Sequence, residues 1–509
     1  MAQAKAIREE IEVSSRKDIH KLQSKAVGLV GVLFLAVTGA APMSAMLGNV
    51  PFAAGYGIGI YTPAAFLLAT IVLTVFSIGY AAMASRVSSV GGFYSFISQG
   101  LGREIGMSAG ISSLACYSIF EASLTGLFAF FGNKWLSEHF GINVPWLWLA
   151  LLMIAVISVL AYRDVKLSAK ILGVALVAEV AMLTIFSLGV LFAGSGTNFN
   201  PEALNVFKVY TALPAQTVGT VAIPAGAAAV GIFMAFWSWV GFEMAPNYAE
   251  ESRDPKRIVP QSLLLSVVGL GIFYVIVSWC AVSAYPTEAD MAAKAFSDGV
   301  NFFLTPIQQF VGTWAFELMF LLILTSSFAC GMAFHNTAAR YLYSLAREGV
   351  LPRAVAETHD HHKSPHKASA VQSVLAAAWV VLYGLGYGFD DPSGQAWLGV
   401  YTLFAVLGTG LLLVLQAIVS VAIILWFKKN GGGNVFTTMI APAISFLVQI
   451  WLVYTLIANL ATLGGTNGFA QSIPYVGLAI ILVGLIWGFV LKSTNPEAYK
   501  NIGHMVNND

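Results

Sequence analysis

Three glutamates are the residues of this chain whose surroundings point most directly to chemistry. Glu121, Glu179 and Glu243 each lie well inside a long apolar stretch, and no lysine or arginine lies at comparable depth. A carboxylate in apolar surroundings is costly unless it is protonated, hydrogen-bonded or paired with a cation. Each of the three is therefore predicted to carry a proton, to bind a cation or to brace the structure around it.

Two segments of the chain have the composition of helices that are interrupted near their middle. Residues 35–44 read LAVTGAAPMS, and residues 236–246 read FWSWVGFEMAP. Proline lacks a backbone N–H, and its ring clashes with the preceding helical turn. We expect one break at Pro42 and a second around Gly241, each of which frees backbone groups for a ligand.

The composition indicates that membrane-spanning helices hold these residues in place. Of the 509 residues, 58% are hydrophobic and only 10% are charged, with a net charge of +1. A water-soluble domain usually carries about a quarter charged residues. These values argue against a soluble enzyme, a disordered protein and a nucleic-acid-binding protein. We expect a protein in contact with membrane lipid.

Motifs of catalysis and of metal binding are absent from the sequence. It contains no GxSxG, HExxH or P-loop pattern, so we expect no enzymatic activity. The cysteines are dispersed and fit neither a disulfide framework nor a metal site. We expect no cofactor and no metal. The three cysteines are Cys116, Cys280 and Cys330.

Twelve stretches are long enough to cross a bilayer. A hydrocarbon core about 30 Å thick needs about 20 apolar residues in a helix. Because backbone groups cannot stay unpaired in lipid, these stretches are predicted to be helices. They are residues 26–49, 61–84, 105–132, 145–162, 167–193, 223–246, 261–284, 314–343, 369–387, 397–427, 436–460 and 473–491.

The basic residues predict the orientation of these spans. With the N-terminus inside, 23 of the 26 lysines and arginines fall on the inner side. The three on the outer side are Lys134, Lys208 and Lys294. This asymmetry satisfies the positive-inside rule. No cleavable signal peptide is visible, so we expect a cytoplasmic or plasma-membrane protein with both termini in the cytoplasm.

Two broken spans that lie five helices apart are typical of inverted-repeat transporters, whose unwound segments meet at mid-membrane. The loops add four motifs in order, and with them the chain resembles the amino acid–polyamine–organocation (APC) superfamily of permeases from about residue 25 to residue 430. The motifs are Gly91-Gly92-Phe93-Tyr94, VKLSAK at residues 165–170, Gly241-Phe242-Glu243 with EESRDPKRIVP at residues 250–260, and NTAARYLYSLAREGVLP at residues 336–352.

The resemblance implies an all-α integral membrane protein with a five-plus-five inverted repeat of the LeuT type and with helices 1 and 6 broken. Helices 1–5 would occupy residues 26–193 and helices 6–10 residues 223–427. Helices 11 and 12 would follow in residues 436–491. Residues 1–25 and 492–509 would be cytoplasmic.

The resemblance also implies a central substrate site between helices 1, 3, 6, 8 and 10. A half-helix N-terminus attracts a carboxylate, and unwound carbonyls attract an ammonium group. Trp237 is expected either as an aromatic gate over the substrate or as a lipid-facing or packing aromatic residue, and the same alternatives apply to Trp239. The predicted substrate-binding residues are Thr38, Gly39, Ala40, Ala41, Pro42, Met43, Ser44, Tyr117, Glu121, Phe236, Trp237, Ser238, Trp239, Val240 and Gly241.

Four residues are expected to couple transport to an ion: Glu179, Glu243, Ser326 and Ser327. Glu179 would carry a proton, bind sodium with the two serine hydroxyls, or act as a buried brace. Glu243 would titrate or hold the broken helix 6. Glu121 would either face the cavity and attract a cationic side chain or form a hydrogen-bonded core group.

The sequence therefore predicts a secondary active permease that moves an amino acid by proton symport, with sodium as the less favoured ion. The alternative is a polyamine or amine importer, or an amino acid/amine exchanger. The substrate side chain and the oligomeric state stay open.

Overall fold

The computed structural model describes residues 27–87, 91–162, 165–362, 364–464 and 467–503. The predicted N-terminal segment 1–25 lies outside these residues. Nearly all of the described chain is helical, as the apolar composition predicts. Ten described helices are long and apolar enough to cross a membrane. One of them is the stretch Leu29–Ala84, which consists of several successive helical segments and covers nearly all of two predicted spans. A further apolar helix, Trp146–Ala161, is shorter.

The α-helices are numbered here in chain order. They are α1 Leu29–Ala40, α2 Pro42–Phe52, α3 Thr62–Ala84, α4 Gly92–Leu101, α5 Arg103–Phe140, α6 Trp146–Ala161, α7 Val165–Leu191, α8 Ala228–Trp237, α9 Pro255–Ser283, α10 Glu288–Ser297, α11 Leu304–Phe310, α12 Thr313–Arg347, α13 His366–Tyr387, α14 Phe404–Asn430, α15 Ala441–Ala458, α16 Leu460–Gly464, α17 Gly468–Thr494 and α18 Pro496–Asn501.

Tighter and wider turns connect several of these helices. The 3₁₀ turns are Gly59–Tyr61, Pro201–Leu204, Val206–Lys208, Phe242–Tyr248, Gly299–Asn301 and Arg353–Ala356. The π-helical segments are Ala53–Ile58, Pro392–Leu403 and Phe436–Ile440. The long helices α5 and α12 pack against each other, and both contribute residues to the centre of the molecule.

The first predicted break is present, one residue before Pro42. Helix α1 ends at Ala40, and Ala41 has φ 42°, a left-handed conformation that ends the helix. The Ala41 N–H still bonds to the carbonyls of Val37 and Thr38. Pro42 then begins α2 at a position where a missing N–H removes no helical hydrogen bond.

The second break lies between α8 and the 3₁₀ turn Phe242–Tyr248. Residues 238–241 separate them. The last of these, Gly241, has φ 121°, which glycine adopts without the steric cost that other residues meet. A Cβ at Gly241 would lie 2.4 Å from the carbonyl carbon of Gly39. The two breaks are thus in direct backbone contact.

One of the connections between helices differs from the all-helical prediction. Residues Gln216–Val218 (β1) and Val221–Ile223 (β2) form an antiparallel hairpin. Gly219 supplies the positive φ of its turn. Strands of three residues are too short to give a recognisable alternation of apolar and polar side chains. Because the hairpin extends to Ile223, the span predicted from residue 223 begins only at Ala228.

Candidate functional site

A small cavity with a volume of about 20 Å³ lies where the two breaks meet. Seven of the predicted residues line it: Gly39, Ala40, Ala41, Ser44, Trp237, Ser238 and Val240. Six lining residues were not predicted: Ala45, Asn49, Leu124, Cys330, Phe334 and Tyr401. None of the described residues that line the cavity is charged.

Eight predicted residues lie outside the cavity lining: Thr38, Pro42, Met43, Tyr117, Glu121, Phe236, Trp239 and Gly241. The Thr38 hydroxyl donates to the Phe34 carbonyl at 2.6 Å. Trp239 is fully buried, and its ring packs edge-on against Tyr274. The geometry therefore places Trp239 as a packing residue.

The Glu179 carboxylate lies at the N-terminus of α2. Its Oε2 accepts hydrogen bonds from the Met43 N–H at 3.1 Å and from the Ser326 hydroxyl at 2.8 Å. Free N–H groups and the helix dipole both favour negative charge at this position. A carboxylate of the protein therefore occupies the helix N-terminus that the sequence predicts as the binding site of a substrate carboxylate.

A chain of hydrogen bonds joins this carboxylate to the cavity. Ser44, which lines the cavity, donates to Ser326 Oγ from its hydroxyl at 2.9 Å and from its N–H at 3.2 Å. Ser326 in turn donates to Glu179. Ser327 lies outside the chain because its hydroxyl donates to the Leu324 carbonyl of its own helix. Ser44, Ser326 and Glu179 are all buried.

Glu243 braces the second break. Its Oε2 accepts the Gly241 N–H at 2.9 Å, and its Oε1 accepts the Tyr117 hydroxyl at 2.9 Å. The first bond satisfies a backbone donor that the break leaves without a helical partner. The second ties the broken segment to α5.

Glu121 lies in a separate buried network between α5, α12 and α13. The His335 Nδ1 lies 3.0 Å from its carboxylate oxygens, and the Gln372 amide donates to it at 2.7 Å. The other ring nitrogen of His335 is 2.8 Å from the Ser369 hydroxyl. This geometry favours the hydrogen-bonded core group over the cavity-facing alternative. The signal that could have found the network was a histidine inside a predicted span.

Aromatic rings close one end of the cavity. The Trp237 ring lies 4.7 Å from that of Tyr401, which stacks on Trp397 at 5.4 Å. The Tyr401 hydroxyl donates to Asn49 Oδ1, and the Asn49 amide donates to Ser238. These bonds link both broken segments to the segment before α14. Trp237 is 6% exposed.

A buried ion pair lies beyond the second break. Arg340 of α12 donates to Glu251 from Nε at 3.0 Å and from Nη2 at 2.8 Å, and it lies over the Tyr248 ring. Burial raises the pKa of the Glu251 carboxyl, while the Arg340 guanidinium opposes that shift. Val27 bonds to the backbone of Glu251 and Arg253, which anchors the start of α1 to the same loop.

Removing one partner of this pair is expected to destabilise the protein strongly. Arg340→Met leaves the Glu251 carboxylate buried without a counterion, so we expect a loss of about 3–5 kcal/mol in the free energy of unfolding. Thermal unfolding in detergent measures it. Lys134→Met, which breaks a partly exposed pair with Glu138, serves as the control and should change stability by about 0–1 kcal/mol. Equal effects of the two substitutions would contradict the structural role of the buried pair.

Comparisons with known proteins find similar chains among membrane transporters. A model of the family described as "Amino acid permease" matches residues 27–486. An uncharacterized transporter of Mycobacterium tuberculosis strain H37Rv is 24% identical over 84% of this chain and 86% of its own length. The low-affinity putrescine importer of Escherichia coli K12 is 22% identical over 58% and 61%. The branched-chain amino acid permease of Lactococcus lactis is 23% identical over 57% and 62%.

Proposed function

This chain belongs to the amino acid permease family, and we propose that it moves a small neutral α-amino acid across the cytoplasmic membrane together with a proton, by alternating access. The observation that carries the proposal is the cavity between the two touching breaks, joined by hydrogen bonds to a buried carboxylate. Both termini would lie in the cytoplasm, in keeping with the distribution of basic residues.

The lengths of the helices support twelve spans in a five-plus-five repeat. The stretch Leu29–Ala84 has 56 residues, so as one straight helix it would be about 84 Å long. Since the bilayer core is about 30 Å thick, we propose that this stretch crosses twice and turns at residues 53–61. With Trp146–Ala161 as a further short span, the total is twelve. The breaks after α1 and after α8 would then be equivalent positions in the two repeats.

The cavity favours a small neutral amino acid over a diamine. Ligand pockets for drug-sized molecules usually measure about 300–1,000 Å³. This cavity, with about 20 Å³, is far smaller and has to widen to admit even a small amino acid. A second ammonium group needs an acid in the cavity wall, and the described wall has none. Glu121, the acid proposed for that role from the sequence, is bound to His335 and Gln372. The relative that imports putrescine keeps the diamine as the second candidate.

The hydrogen-bond chain offers a way to couple the proton to the substrate. With Glu179 ionised, the Ser326 and Ser44 hydroxyls both point along the chain towards it. A proton on Glu179 turns the carboxyl into a donor, so Ser326 donates instead to Ser44 Oγ. The Ser44 hydroxyl is then released to donate to a substrate carboxylate. Proton binding and substrate binding support each other in this scheme.

The same contacts favour a proton over sodium. The two groups that face Glu179 Oε2 are hydrogen-bond donors, an N–H and an O–H. A sodium ion needs oxygen lone pairs directed at it. The N–H cannot provide them, whereas a proton needs only a reversal of the existing bonds.

The proposed substrate class is tested by counterflow in proteoliposomes loaded with a mixture of amino acids. We expect competition by small neutral amino acids and none by putrescine or spermidine. Competition by lysine, arginine or polyamines alone would replace this proposal with the amine importer or exchanger. Absence of any saturable counterflow would contradict the transporter assignment.

Truncating the aromatic side chain at the end of the cavity is expected to weaken transport. Trp237→Ala removes a buried ring that contacts both Tyr401 and Phe233, so the closed cavity loses a wall. We expect the apparent affinity for substrate to fall by about tenfold or more, equivalent to about 1.4 kcal/mol. Concentration-dependent uptake measures this change. Trp237→Phe keeps an aromatic ring and should restore most of the affinity, whereas wild-type affinity in Trp237→Ala would remove the residue from the site.

A further inference from the structure

A cluster of buried polar side chains without hydrogen bonds of good geometry lies next to Glu243. We define the polar cluster as Tyr80, Ser113, Asn247 and Tyr341. Their hydroxyl groups and both amide atoms of Asn247 make no hydrogen bond of good geometry within the described part of the chain, although the Tyr341 hydroxyl lies near Ser113 and Asn247. Each of the four residues is at most 1% exposed. They come from α3, α5, the 3₁₀ turn after the second break, and α12.

Close contacts bring Asn247 and the Tyr341 hydroxyl together. A Cβ built at Gly92 would lie 2.7 Å from Asn247 Oδ1 and 2.9 Å from the Tyr341 hydroxyl. The Tyr341 ring stacks on Tyr117 at 5.7 Å, and Tyr117 donates to Glu243. Asn247 follows Glu243 by four residues within the same 3₁₀ turn. The polar cluster therefore adjoins the carboxyl group that braces the second break.

Buried polar side chains that lack hydrogen bonds of good geometry favour an ordered water molecule as a further partner. Buried polar atoms in proteins are almost always hydrogen-bonded, and ordered water commonly satisfies those that lack a protein partner. Asn247 alone presents two donors and an acceptor. A side chain at Gly92, which has φ 44°, would collide with Asn247 Oδ1 and with the Tyr341 hydroxyl. Several converging donors and acceptors are the surroundings that a buried water needs.

We propose that the polar cluster binds ordered water and gives Glu243 a route for proton exchange towards the Arg340–Glu251 ion pair. The titratable groups around Glu243 are Tyr117 and Cys116 on α5, Tyr80 on α3 and Tyr341 on α12. Tyr248, one residue after Asn247, packs its ring against the Arg340 guanidinium and so joins this region to the ion pair. A carboxyl group in apolar surroundings can exchange protons only through such a polar path.

The hydration of the polar cluster is tested by hydroxyl-radical footprinting of the full chain in detergent, where radicals form from bound water. Tyr80 and Tyr341 are expected to be oxidised at rates near that of the exposed Tyr387. Tyr274 is the matched control: it is equally buried, its hydroxyl donates to the Ala40 carbonyl, and it should stay unmodified. Protection of Tyr80 and Tyr341 equal to that of Tyr274 would overturn the proposal.

The route for protons rests on the proposed proton-coupled transport and has its own test. Tyr341→Phe removes only the hydroxyl, so we expect proton-driven net uptake to slow by at least about tenfold while counterflow, which needs no net proton transfer, stays near wild type. Ser77→Ala is the control, because this buried hydroxyl of α3 already bonds to the Leu73 carbonyl. Equal changes in both rates, or no change, would overturn the route. If the wild-type chain shows no proton-driven uptake, the route fails with the proposed coupling, and the footprinting result still decides on the water.

Discussion

Replacing Glu179 with glutamine is expected to abolish the accumulation of substrate driven by a pH gradient while leaving exchange of substrate intact. The glutamine amide cannot carry the transported proton. When the side chain turns so that its oxygen accepts the Met43 N–H, its NH₂ group can donate to Ser326 Oγ permanently. The Ser44 hydroxyl then stays released towards the cavity. The variant should bind and exchange substrate at every pH but should reach only equal concentrations on the two sides of the membrane.

Proteoliposomes with an inward pH gradient measure this difference. For one proton per substrate, a gradient of about one pH unit supports about tenfold accumulation, equivalent to about 1.4 kcal/mol. We expect wild-type vesicles to approach that ratio and Glu179→Gln vesicles to stop near unity. Accumulation by the variant at the wild-type level would refute the proton role of Glu179.

Two neighbouring serines provide a matched pair for the same experiment. Ser326→Ala removes the middle of the chain between Ser44 and Glu179, so accumulation should fall as in Glu179→Gln. Ser327→Ala removes a hydroxyl that bonds within its own helix, so accumulation should stay near wild type. Identical behaviour of the two variants would show that the chain of hydrogen bonds does not transmit the proton.

Adding a single methyl group at Gly241 is expected to have the largest effect on folding. The new Cβ would lie 2.4 Å from the Gly39 carbonyl carbon and 2.6 Å from the Ala40 nitrogen, both backbone atoms. The residue would also have to keep φ 121°. Strain of about 1–3 kcal/mol for the dihedral angle and about 1–3 kcal/mol for overpacking add to a loss of about 2–6 kcal/mol.

The yield of folded Gly241→Ala protein in detergent and its unfolding temperature measure this loss. Gly269→Ala is the control, since a Cβ at Gly269 of α9 meets nothing within 4 Å. That substitution should be neutral or stabilise the helix by about 0.5–1 kcal/mol. A Gly241→Ala protein as stable and active as wild type would contradict the direct contact between the two breaks.

The sequence reveals the breaks because their causes are local. Pro42 cannot continue a helix from the preceding turn, and Gly241 can take a φ that other residues avoid. The apolar stretches likewise follow from composition alone. The proximity of Glu179 and Ser326 was an alternative that the resemblance allowed, and the structure places the two in hydrogen-bonding distance.

Other features depend on contacts between distant segments. Asn49, Cys330 and Tyr401 reach the cavity only because three separate helical segments converge there, and neither charge nor spacing marks them in the sequence. The partners of Glu121 are 214 and 251 residues away along the chain. A single sequence cannot pair positions so far apart, so it does not distinguish a cavity-facing Glu121 from one that is bound in the core.

The proposed coupling of amino acid uptake to a proton is tested by following proton movement during uptake. Wild-type proteoliposomes holding a pH-sensitive dye, with no imposed gradient and no sodium, would receive a small neutral amino acid from outside. We expect the lumen to acidify in step with uptake, and we expect Glu179→Gln vesicles to take up the amino acid without acidification. Uptake by the wild type without proton movement, or only when sodium is present, would contradict the proposed coupling.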